Sequence, residues 1–373
     1  MHRLLQSIRQ LPHIAFIVVV LVGLGLPLVG PGNHEKNEEN RRRSTRPDLP
    51  KSWTDVGGFP EQYEHYFSDN FAFRDTLVDA HHRLRRDLLG LSATPKAALG
   101  SAGWIYLMDD FASDYQRKMP YSEEELAEWA QLLELRGQWL SLQKIPFLFV
   151  VAPNKSTIYP EYLPAAAKPL WEVSPLDQLY GLVAQLPHVD AVDLRPALLA
   201  AKPEHTLYHH LDTHWNDVGA YIAYRALVEK LNTLVDCGPP LDWPDFTLTE
   251  KTITSGDLAV LACVGGVGES QQPVLTRTKS TTAIASVDRD NTGIGAHEAY
   301  IAYETPGKTL RVLLLRDSFG NRMAPLLAAH CGRLVCGPSR YFDVELIEQE
   351  KPDVVILERV ERYLAIPPEI RRP

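Results

Sequence analysis

Residues 313–320 read LLLRDSFG: an apolar run typical of a buried strand stops at Ser318 and gives way to a helical pattern. A turn from strand to helix exposes its side chain at the carboxyl edge of a sheet, and it directs N–H groups of the helix start outward. Ser318 is therefore a candidate nucleophile, because a serine needs a base and a cluster of hydrogen-bond donors. In the alternative interpretation, Ser318 only caps the helix that follows it.

Strand and helix patterns alternate throughout the last part of the chain. Strand-like runs occupy residues 309–315, 333–336 and 353–357, and helical patterns occupy residues 321–330 and 343–350 between them. Alternation at these lengths is typical of βαβ units, whose crossovers are right-handed and whose strands are parallel. The sequence therefore predicts an α/β fold with a doubly wound parallel sheet.

The middle of the chain extends this pattern toward the amino terminus. Residues 145–153 and 189–194 are typical of buried parallel strands, and a capping box at Ser122 starts a helix before them. Residues 96–107 have the pattern of a hairpin. From 237 to about 306 the periodicity weakens to short alternating runs, which we interpret as a β-rich insertion.

A second stretch, YHHLDTHWN at residues 208–216, holds a carboxylate and an imidazole two residues apart. In extended backbone Asp212 and His214 point to the same face, so the carboxylate can reach Nδ1 of the ring. That contact would fix the tautomer and leave Nε2 as a general base. The alternatives are a capping Asp212 beside a structural His214, or a metal site. The metal site would use the ligand-type side chains of the stretch, His209, His210, Asp212 and His214.

Further candidates flank these stretches or follow the ends of predicted strands, where open α/β sheets bind their ligands. The candidates for substrate or oxyanion contact are Asn154, Lys155, Tyr208, Trp215, Arg316, Asp317, Arg340 and Tyr341. Glu358, Glu361 and Arg362 follow the last strand, where they form either an ion network or part of an acceptor site. A glycine-rich run at residues 265–268 lacks the ending of a phosphate loop and is typical of a turn.

The composition is that of a globular protein with an ordinary core: of 373 residues, 45% are hydrophobic and 23% are charged. A net charge of -9 without a basic face argues against nucleic acid as the partner. The four cysteines have no spacing typical of a metal finger. Cys237 and Cys263 could pair in an oxidising compartment, but the sequence cannot choose among the possible pairings.

The amino terminus contains an almost wholly apolar run at residues 14–30. We interpret it as an uncleaved membrane anchor, preceded by a cytoplasmic segment at residues 1–13 and followed by a polar linker at 31–57. A buried helix and a cleaved signal peptide are the alternatives. The positive charges on both sides of the run leave its orientation open. Residues 58–373 would then form the folded domain.

The chain resembles the alginate O-acetyltransferase family of the AlgJ/AlgX type, whose domain has an SGNH-hydrolase-like fold. The most specific segments are DTHWN at 212–216 and DSF at 317–319. The supporting segments, in the same order, are FPEQYEHYFSD at 59–69, GWIY at 103–106, APNKSTIYPE at 152–161 and GDLA at 256–259. The resemblance covers about residues 35–363.

This resemblance implies that Ser318 is the nucleophile, His214 its base and Asp212 the residue that orients the base. Arg316 stands where glycine is common in such motifs. The asparagine of ordinary SGNH sites has no separate match, and Asn154 is the candidate by position. We expect neither a metal nor another cofactor in the site.

The implied function is O-acetylation of hydroxyl groups on a cell-surface or secreted polysaccharide through an acetyl-serine intermediate. The rings of Tyr208, Trp215, Phe319 and Tyr341 would then stack on sugar faces, unless they belong to the core. The implied partners are a membrane-bound O-acyltransferase that supplies acetyl groups and a polysaccharide biosynthesis or export complex. The implied location is the cytoplasmic membrane, with the domain in the periplasm. A carbohydrate acetyl esterase with the same triad and a non-catalytic polysaccharide-binding subunit are the alternatives.

Overall fold

The computed structural model describes residues 43–71, 74–89, 92, 94–108, 120–164, 172–262, 270–279, 282–285, 299–365 and 369–371. The described residues fall into two compact units, those up to residue 94 together with 260–262, and those of 95–259 together with 270–371. In the first unit the helices are α1 (Trp53–Val56), α2 (Phe59–Asn70) and α3 (Arg74–Leu89). Pro60 lies in the first turn of α2, where the N–H that proline lacks would have no partner within the helix.

The second unit begins with the predicted hairpin, β1 (Ala97–Leu99) and β2 (Ile105–Leu107), which pair antiparallel. The strands that follow are β3 (Phe147–Ala152), β4 (Asp190–Asp193), β5 (Phe246–Ile253), β6 (Ser270–Arg277), β7 (Ala283–Ala285), β8 (Ile301–Glu304) and β9 (Arg311–Arg316). The last strands are β10 (Arg333–Pro338), β11 (Tyr341–Asp343), β12 (Val354–Val360) and β13 (Glu369–Arg371).

Helices connect these strands, and three of them lie where the sequence predicts, after Ser122, near 321–330 and near 343–350. They are α4 (Glu123–Leu142), α5 (Lys155–Ile158), α6 (Pro175–Val183), α7 (Arg195–Ala201), α8 (Asp217–Leu231), α9 (Asp257–Leu261), α10 (Gly320–Leu327) and α11 (Val344–Glu350). The capping box predicted at Ser122 is present, since its side chain accepts a hydrogen bond from the Glu125 N–H. Asn216 caps α8 by accepting from the N–H groups of Val218 and Gly219.

Within the described residues, the main sheet has the order β4-β3-β12-β9-β10-β8-β7. The five strands from β4 to β10 are parallel, as the βαβ pattern predicts. Side chains of β3 alternate between two cores: Leu148 and Val150 face one, and Phe147 and Phe149 face the other. Helices α8 and α10 cover the first core, while α4, α6 and α11 cover the second. The sheet is therefore covered on both faces, as the predicted doubly wound fold requires.

The prediction of an entirely parallel sheet is wrong at one edge. Strands β7 and β8 belong to the stretch that we interpreted as an insertion, yet β8 pairs antiparallel with β10 and β7 pairs antiparallel with β8. The short connection at residues 305–310 leads from β8 into β9 and reverses the chain, and β10 is parallel to β9, so β8 lies antiparallel to β10. Within the same stretch, β5 and β6 pair antiparallel in a separate two-stranded sheet.

The predicted anchor at residues 14–30 and the glycine-rich run at 265–268 lie outside the described residues. None of the helices in the described ranges is long and apolar enough to cross a membrane. Cys237 is a buried thiol that forms no disulfide, and its possible partner Cys263 lies outside the described ranges.

Candidate active site

The two predicted stretches meet at the carboxyl edge of the sheet. Ser318 follows the end of β9 by two residues and precedes α10 by two. The stretch at residues 208–216 folds back on itself, with Tyr208 and Trp215 paired as an antiparallel bridge. The His209 N–H donates to the His214 carbonyl oxygen at 3.1 Å, which closes this small loop. Asp212 and His214 are therefore presented at a loop and not along an extended strand.

A continuous chain of hydrogen bonds joins the three predicted catalytic side chains. His214 Nδ1 lies 2.7 Å from Asp212 Oδ1, and His214 Nε2 lies 2.8 Å from Ser318 Oγ. The His214 N–H also donates to Asp212 Oδ1 at 3.0 Å, so the carboxylate fixes both the ring and its backbone. With a proton on Nδ1, the lone pair of Nε2 faces the serine hydroxyl, which is the arrangement that a general base requires.

The Asp212 carboxylate is held in its ionised form. Burial would raise its pKa, but the hydrogen bonds from His214 and the charge of that ring outweigh burial and lower the pKa below the usual value of 3.8. Its second oxygen accepts from the Asp257 N–H at 3.2 Å. Asp212 is therefore a permanent anion near neutral pH, able to stabilise a positive charge on the imidazole.

Asp257, which begins α9, is a second carboxylate beside the histidine. Its Oδ2 lies 3.8 Å from His214 Nδ1, and its two oxygens accept from the N–H and the hydroxyl of Thr213 at 2.7 and 2.6 Å. Gly256 permits this approach, because a Cβ there would lie 2.3 Å from the Leu211 carbonyl oxygen. Sequence reasoning assigned Asp257 no role, although the segment GDLA that contains it was the available signal.

Lys155 binds the main chain of the loop at residues 208–216. Its ammonium group donates to the carbonyl oxygens of His209, His210 and Asp212 at 3.1, 3.2 and 2.8 Å. The side chain is buried, and its charge lies 5.3 Å from the ring centre of Tyr106. We predicted Lys155 as a substrate contact, but its ammonium group forms its hydrogen bonds with the main chain of the loop. Its position just past β3 is as predicted.

The residues before Ser318 are also buried. Asp317 accepts hydrogen bonds from the N–H groups of Phe319 at 2.9 Å and Val360 at 2.6 Å. Arg316 is 1% exposed and donates to the Ala299 carbonyl oxygen at 3.1 Å. Both were predicted as substrate or oxyanion contacts. Because they are buried, they instead support the turn at Ser318 from within the protein.

Three aromatic rings that we predicted to stack on a ligand belong to the core. Tyr208, Trp215 and Phe319 are fully buried. The Tyr208 hydroxyl donates to the Pro153 carbonyl oxygen at 2.6 Å, and Trp215 Nε1 donates to the Phe319 carbonyl oxygen at 3.2 Å. Stacking on a ligand is therefore wrong for these rings, because protein covers their faces. Tyr341 is partly exposed, with the Arg340 guanidinium 5.2 Å from its ring centre.

The remaining candidates lie near the same edge in supporting roles. Asn154 is buried, and its N–H donates to Glu361 Oε2 at 2.8 Å. The same Glu361 oxygen accepts from the Thr157 hydroxyl at 2.7 Å. The Arg362 guanidinium lies 5.2 Å from the ring centre of Phe319. Glu361 is therefore part of a polar network that joins the start of α5 to the end of β12.

The metal interpretation of residues 208–216 does not fit the observed geometry. His209 Nδ1 lies 2.8 Å from Gln272 Oε1, and the His210 ring packs 4.3 Å from that of Trp104. The side chains that do converge are Asp212, His214 and Asp257, whose ligand-type atoms lie within 4.8 Å of one another. An ion held by this group would occupy the Nδ1 side of His214 and would displace its hydrogen bond to Asp212.

A cavity of about 450 Å³ lies along α10, on the side of the β5–β6 hairpin. Asn321, Arg322 and Pro325 of α10 line it together with Arg277 of β6. The cavity is large enough for a small-molecule ligand or for part of a polymer.

Comparison with known proteins identifies the family. The sequence model described as "SGNH hydrolase-like domain, acetyltransferase AlgX" matches residues 97–302, which is more than half of the chain. The chain belongs to this family. The match includes Asp212, His214 and Asp257 but ends before Ser318, so the position of the nucleophile depends on the geometry described above.

Several curated proteins are similar to this chain, and each carries the name "Probable alginate O-acetylase AlgJ". The Pseudomonas fluorescens protein is 26% identical over 286 residues, or 74% of this chain and 70% of that protein. The Pseudomonas syringae pv. tomato protein is 26% identical over 171 residues, or 46% of this chain and 42% of that protein. The Pseudomonas aeruginosa protein is 25% identical, and the match spans 34% of this chain and 30% of that protein.

Solved structures show the same fold. Bacillus cereus PatB1 superimposes with a TM-score of 0.53 at 16% identity, covering 70% of this chain and 95% of that protein. A DHHW family protein from Eubacterium siraeum superimposes with a TM-score of 0.51 at 17% identity, covering 73% of this chain and 95% of that protein. These likenesses support the predicted SGNH-hydrolase-like α/β fold.

Proposed function

We propose that this chain is an O-acetyltransferase that acetylates hydroxyl groups of a cell-surface or secreted polysaccharide through an acetyl-Ser318 intermediate. One observation carries the proposal: the unbroken hydrogen-bonded chain from Asp212 through His214 to Ser318. Membership of the AlgX acetyltransferase family and similarity to proteins named alginate O-acetylase support the acyl group and the class of acceptor.

The reaction has two halves that use the same side chains. In the first, Ser318 Oγ attacks the carbonyl carbon of an acetyl donor while His214 Nε2 takes the hydroxyl proton; the bond from that carbon to the leaving group then breaks, and the leaving group departs with the proton. In the second, His214 takes the proton of a sugar hydroxyl, whose oxygen attacks the acetyl-Ser318 carbonyl carbon; the bond to Ser318 Oγ then breaks, and Oγ regains the proton from His214. Asp212 stabilises the imidazolium that forms in each half.

The acceptor would approach along α10. The cavity lies along the helix that begins two residues after Ser318, and donor-type side chains of Asn321, Arg277 and Arg322 line it, the last also paired with Asp217. A transferase has to hold the acceptor hydroxyl at the ester carbon with a high effective concentration, because water competes for the same intermediate. We assign that task to this cavity.

The test supplies an activated acetyl ester with and without oligosaccharides of several classes, and follows acetyl-sugar and free acetate by mass spectrometry. The proposal expects acetyl-sugar to dominate at saturating acceptor and to depend on Ser318. Ser339→Ala is the matched control, because Ser339 is a buried serine at the end of β10 and outside the hydrogen-bonded triad. Acetate as the main product with every acceptor would instead identify a carbohydrate acetyl esterase. Glycan binding without turnover would identify a non-catalytic subunit.

We also propose that the domain works in the periplasm, anchored by residues 14–30, and receives acetyl groups from a membrane-bound O-acyltransferase within a polysaccharide biosynthesis or export complex. The family resemblance and the apolar run support this arrangement. An alkaline phosphatase fused after Pro373 should be active, and a cytoplasmic reporter there should be silent. The reverse result would place the domain away from a secreted acceptor.

A further inference from the structure

Glu358 is a carboxyl group buried directly behind the Ser318 turn. It lies in β12, one residue past Leu357, which pairs with Leu315 of β9, so it lies beside Arg316 at the end of the neighbouring strand. The residue is 0% exposed. Its Oε2 accepts a hydrogen bond from the Asp317 N–H at 3.2 Å. The triad mechanism does not use this group, although it binds the residue next to the nucleophile.

The chain makes room for Glu358 at the start of α10. A Cβ on Gly320 would lie 2.8 Å from Glu358 Oε2 and 2.7 Å from the Cβ of Arg316. The Gly320 N–H also forms a hydrogen bond with the Glu358 carboxyl. A glycine at this position therefore permits the carboxyl to reach the first N–H group of the helix.

Two carboxyl groups together hold the N–H groups on both sides of the serine. Glu358 accepts from Asp317 and Gly320, and Asp317 accepts from Phe319. The N–H of Ser318 itself has no acceptor among the described residues. The turn thus presents one main-chain donor beside Oγ, where charge develops on a carbonyl oxygen under attack.

The environment of Glu358 favours its neutral form. Burial raises its pKa well above the usual value, and the negative charge of Asp317 raises it further, while Arg316 opposes them. A neutral carboxyl still accepts hydrogen bonds through its carbonyl oxygen. A glutamine has nearly the same shape and the same acceptor, so it should replace the neutral acid, whereas an apolar side chain of similar length should not.

We propose that Glu358 is the positioning residue of the nucleophile: its carboxyl oxygen binds the Asp317 and Gly320 N–H groups and thereby sets the direction of Ser318 Oγ and of the Ser318 N–H. This role depends on the proposed function, because it concerns the same serine. It extends that function by a residue that neither forms part of the triad nor contacts the substrate.

The test compares Glu358→Gln with Glu358→Met in the full chain. Both variants remove the ionisable group and keep the length of the side chain, but only glutamine keeps the acceptor oxygen. We expect the glutamine variant to retain wild-type kcat, and the methionine variant to lose about 10- to 100-fold in kcat with little change in KM, since misplacement near 1 Å has effects of that size. A methionine variant with normal kcat, or a glutamine variant as impaired as methionine, would overturn the proposal.

Gly320→Ala provides a second route if the methionine variant does not fold. The added methyl group would displace Glu358 Oε2 but leaves the carboxyl group in the protein, so kcat should fall with little change in KM. A Gly320→Ala variant with wild-type kcat would contradict the proposal. Labelling of Ser318 by a sulfonyl fluoride, with Ser318→Ala as the blank, reports nucleophile activation without acetyl transfer. Equal labelling of wild type and blank would refute the proposed function itself, whereas slow labelling of the glycine variant alone supports the positioning role.

Discussion

The Lys155 ammonium group donates a hydrogen bond of 2.8 Å to the main-chain carbonyl oxygen of Asp212, a residue 57 positions along the chain. The same group also binds the carbonyl oxygens of His209 and His210. The Lys155 ammonium group, just past the end of β3, thus binds three carbonyl oxygens of the loop that carries His214. The position of His214 relative to Ser318 therefore depends on a side chain that touches neither of them.

Lys155→Met should impair both folding and turnover. The variant leaves three carbonyl oxygens without their donor, so we expect the free energy of unfolding to fall by roughly 1–3 kcal/mol. We also expect kcat to fall by about tenfold or more, because the base shifts relative to Ser318. Urea unfolding and ester hydrolysis measure the two effects. Lys202→Met is the matched control, since Lys202 binds the Ile158 carbonyl oxygen at 2.6 Å and does not contact the loop. Equal kcat in both variants would refute this role of Lys155.

Ser318 and His214 should act as a unit. Ser318→Ala or His214→Ala should each lower turnover of an activated acetyl ester by about 10³- to 10⁵-fold, and the double variant should lose little more. Asp212→Ala should cost less than either. His188→Ala, which alters a histidine paired with Glu134 away from the site, should be neutral. Multiplicative losses in the double variant would show that the two side chains do not share one step.

Asp257 should contribute less than Asp212. Asp212 contacts His214 Nδ1 directly at 2.7 Å, whereas Asp257 acts mainly through Thr213 and lies 3.8 Å from the ring. Asp257→Asn should therefore lower kcat by a smaller factor than Asp212→Asn in the same ester assay. A chelator should leave wild-type activity unchanged, because the proposed chemistry needs no ion. Activity lost to chelator and restored by a divalent cation would instead favour a metal held by the two aspartates and the histidine.

The parts of the site that could be predicted from the sequence are those set by short spacing. Asp212 and His214 stand two residues apart, and the apolar run before Ser318 identifies a strand that ends in a turn. Both features are local, so the chain had few ways to arrange them. The pairing of the two stretches depended on the resemblance to a known family, since about a hundred residues separate them.

The contributions of Lys155, Asp257 and Glu358 could not be predicted, because the burial of a side chain and its hydrogen-bond partners depend on the tertiary structure. A lysine after a strand is equally consistent with a ligand contact and with a hydrogen-bond donor to the main chain. Only the folded structure distinguishes these two roles. The rings of Tyr208 and Trp215 illustrate the same limit, since an aromatic residue beside a motif can face a ligand or the core. The antiparallel edge of β7 and β8 was missed because weak periodicity in short strands does not reveal their partners.

His209 should make the protein less stable in mild acid. Burial, followed by the positive charge of Arg322, lowers its pKa from 6.5 to about 4 in the folded protein. Between these values the unfolded chain binds more protons than the folded one, so the free energy of unfolding falls as the pH falls from about 6.5 to about 4. Above pH 6.5 His209 is neutral in both the folded and the unfolded protein, so its contribution to the free energy of unfolding is constant. Glutamine at position 209 does not titrate. The stability of His209→Gln relative to wild type should therefore rise as the pH falls from 6.5 to about 4, and it should stay constant above pH 6.5. Urea unfolding at a series of pH values measures the difference, and a relative stability that does not change between pH 6.5 and 4 would show that His209 titrates alike in both states.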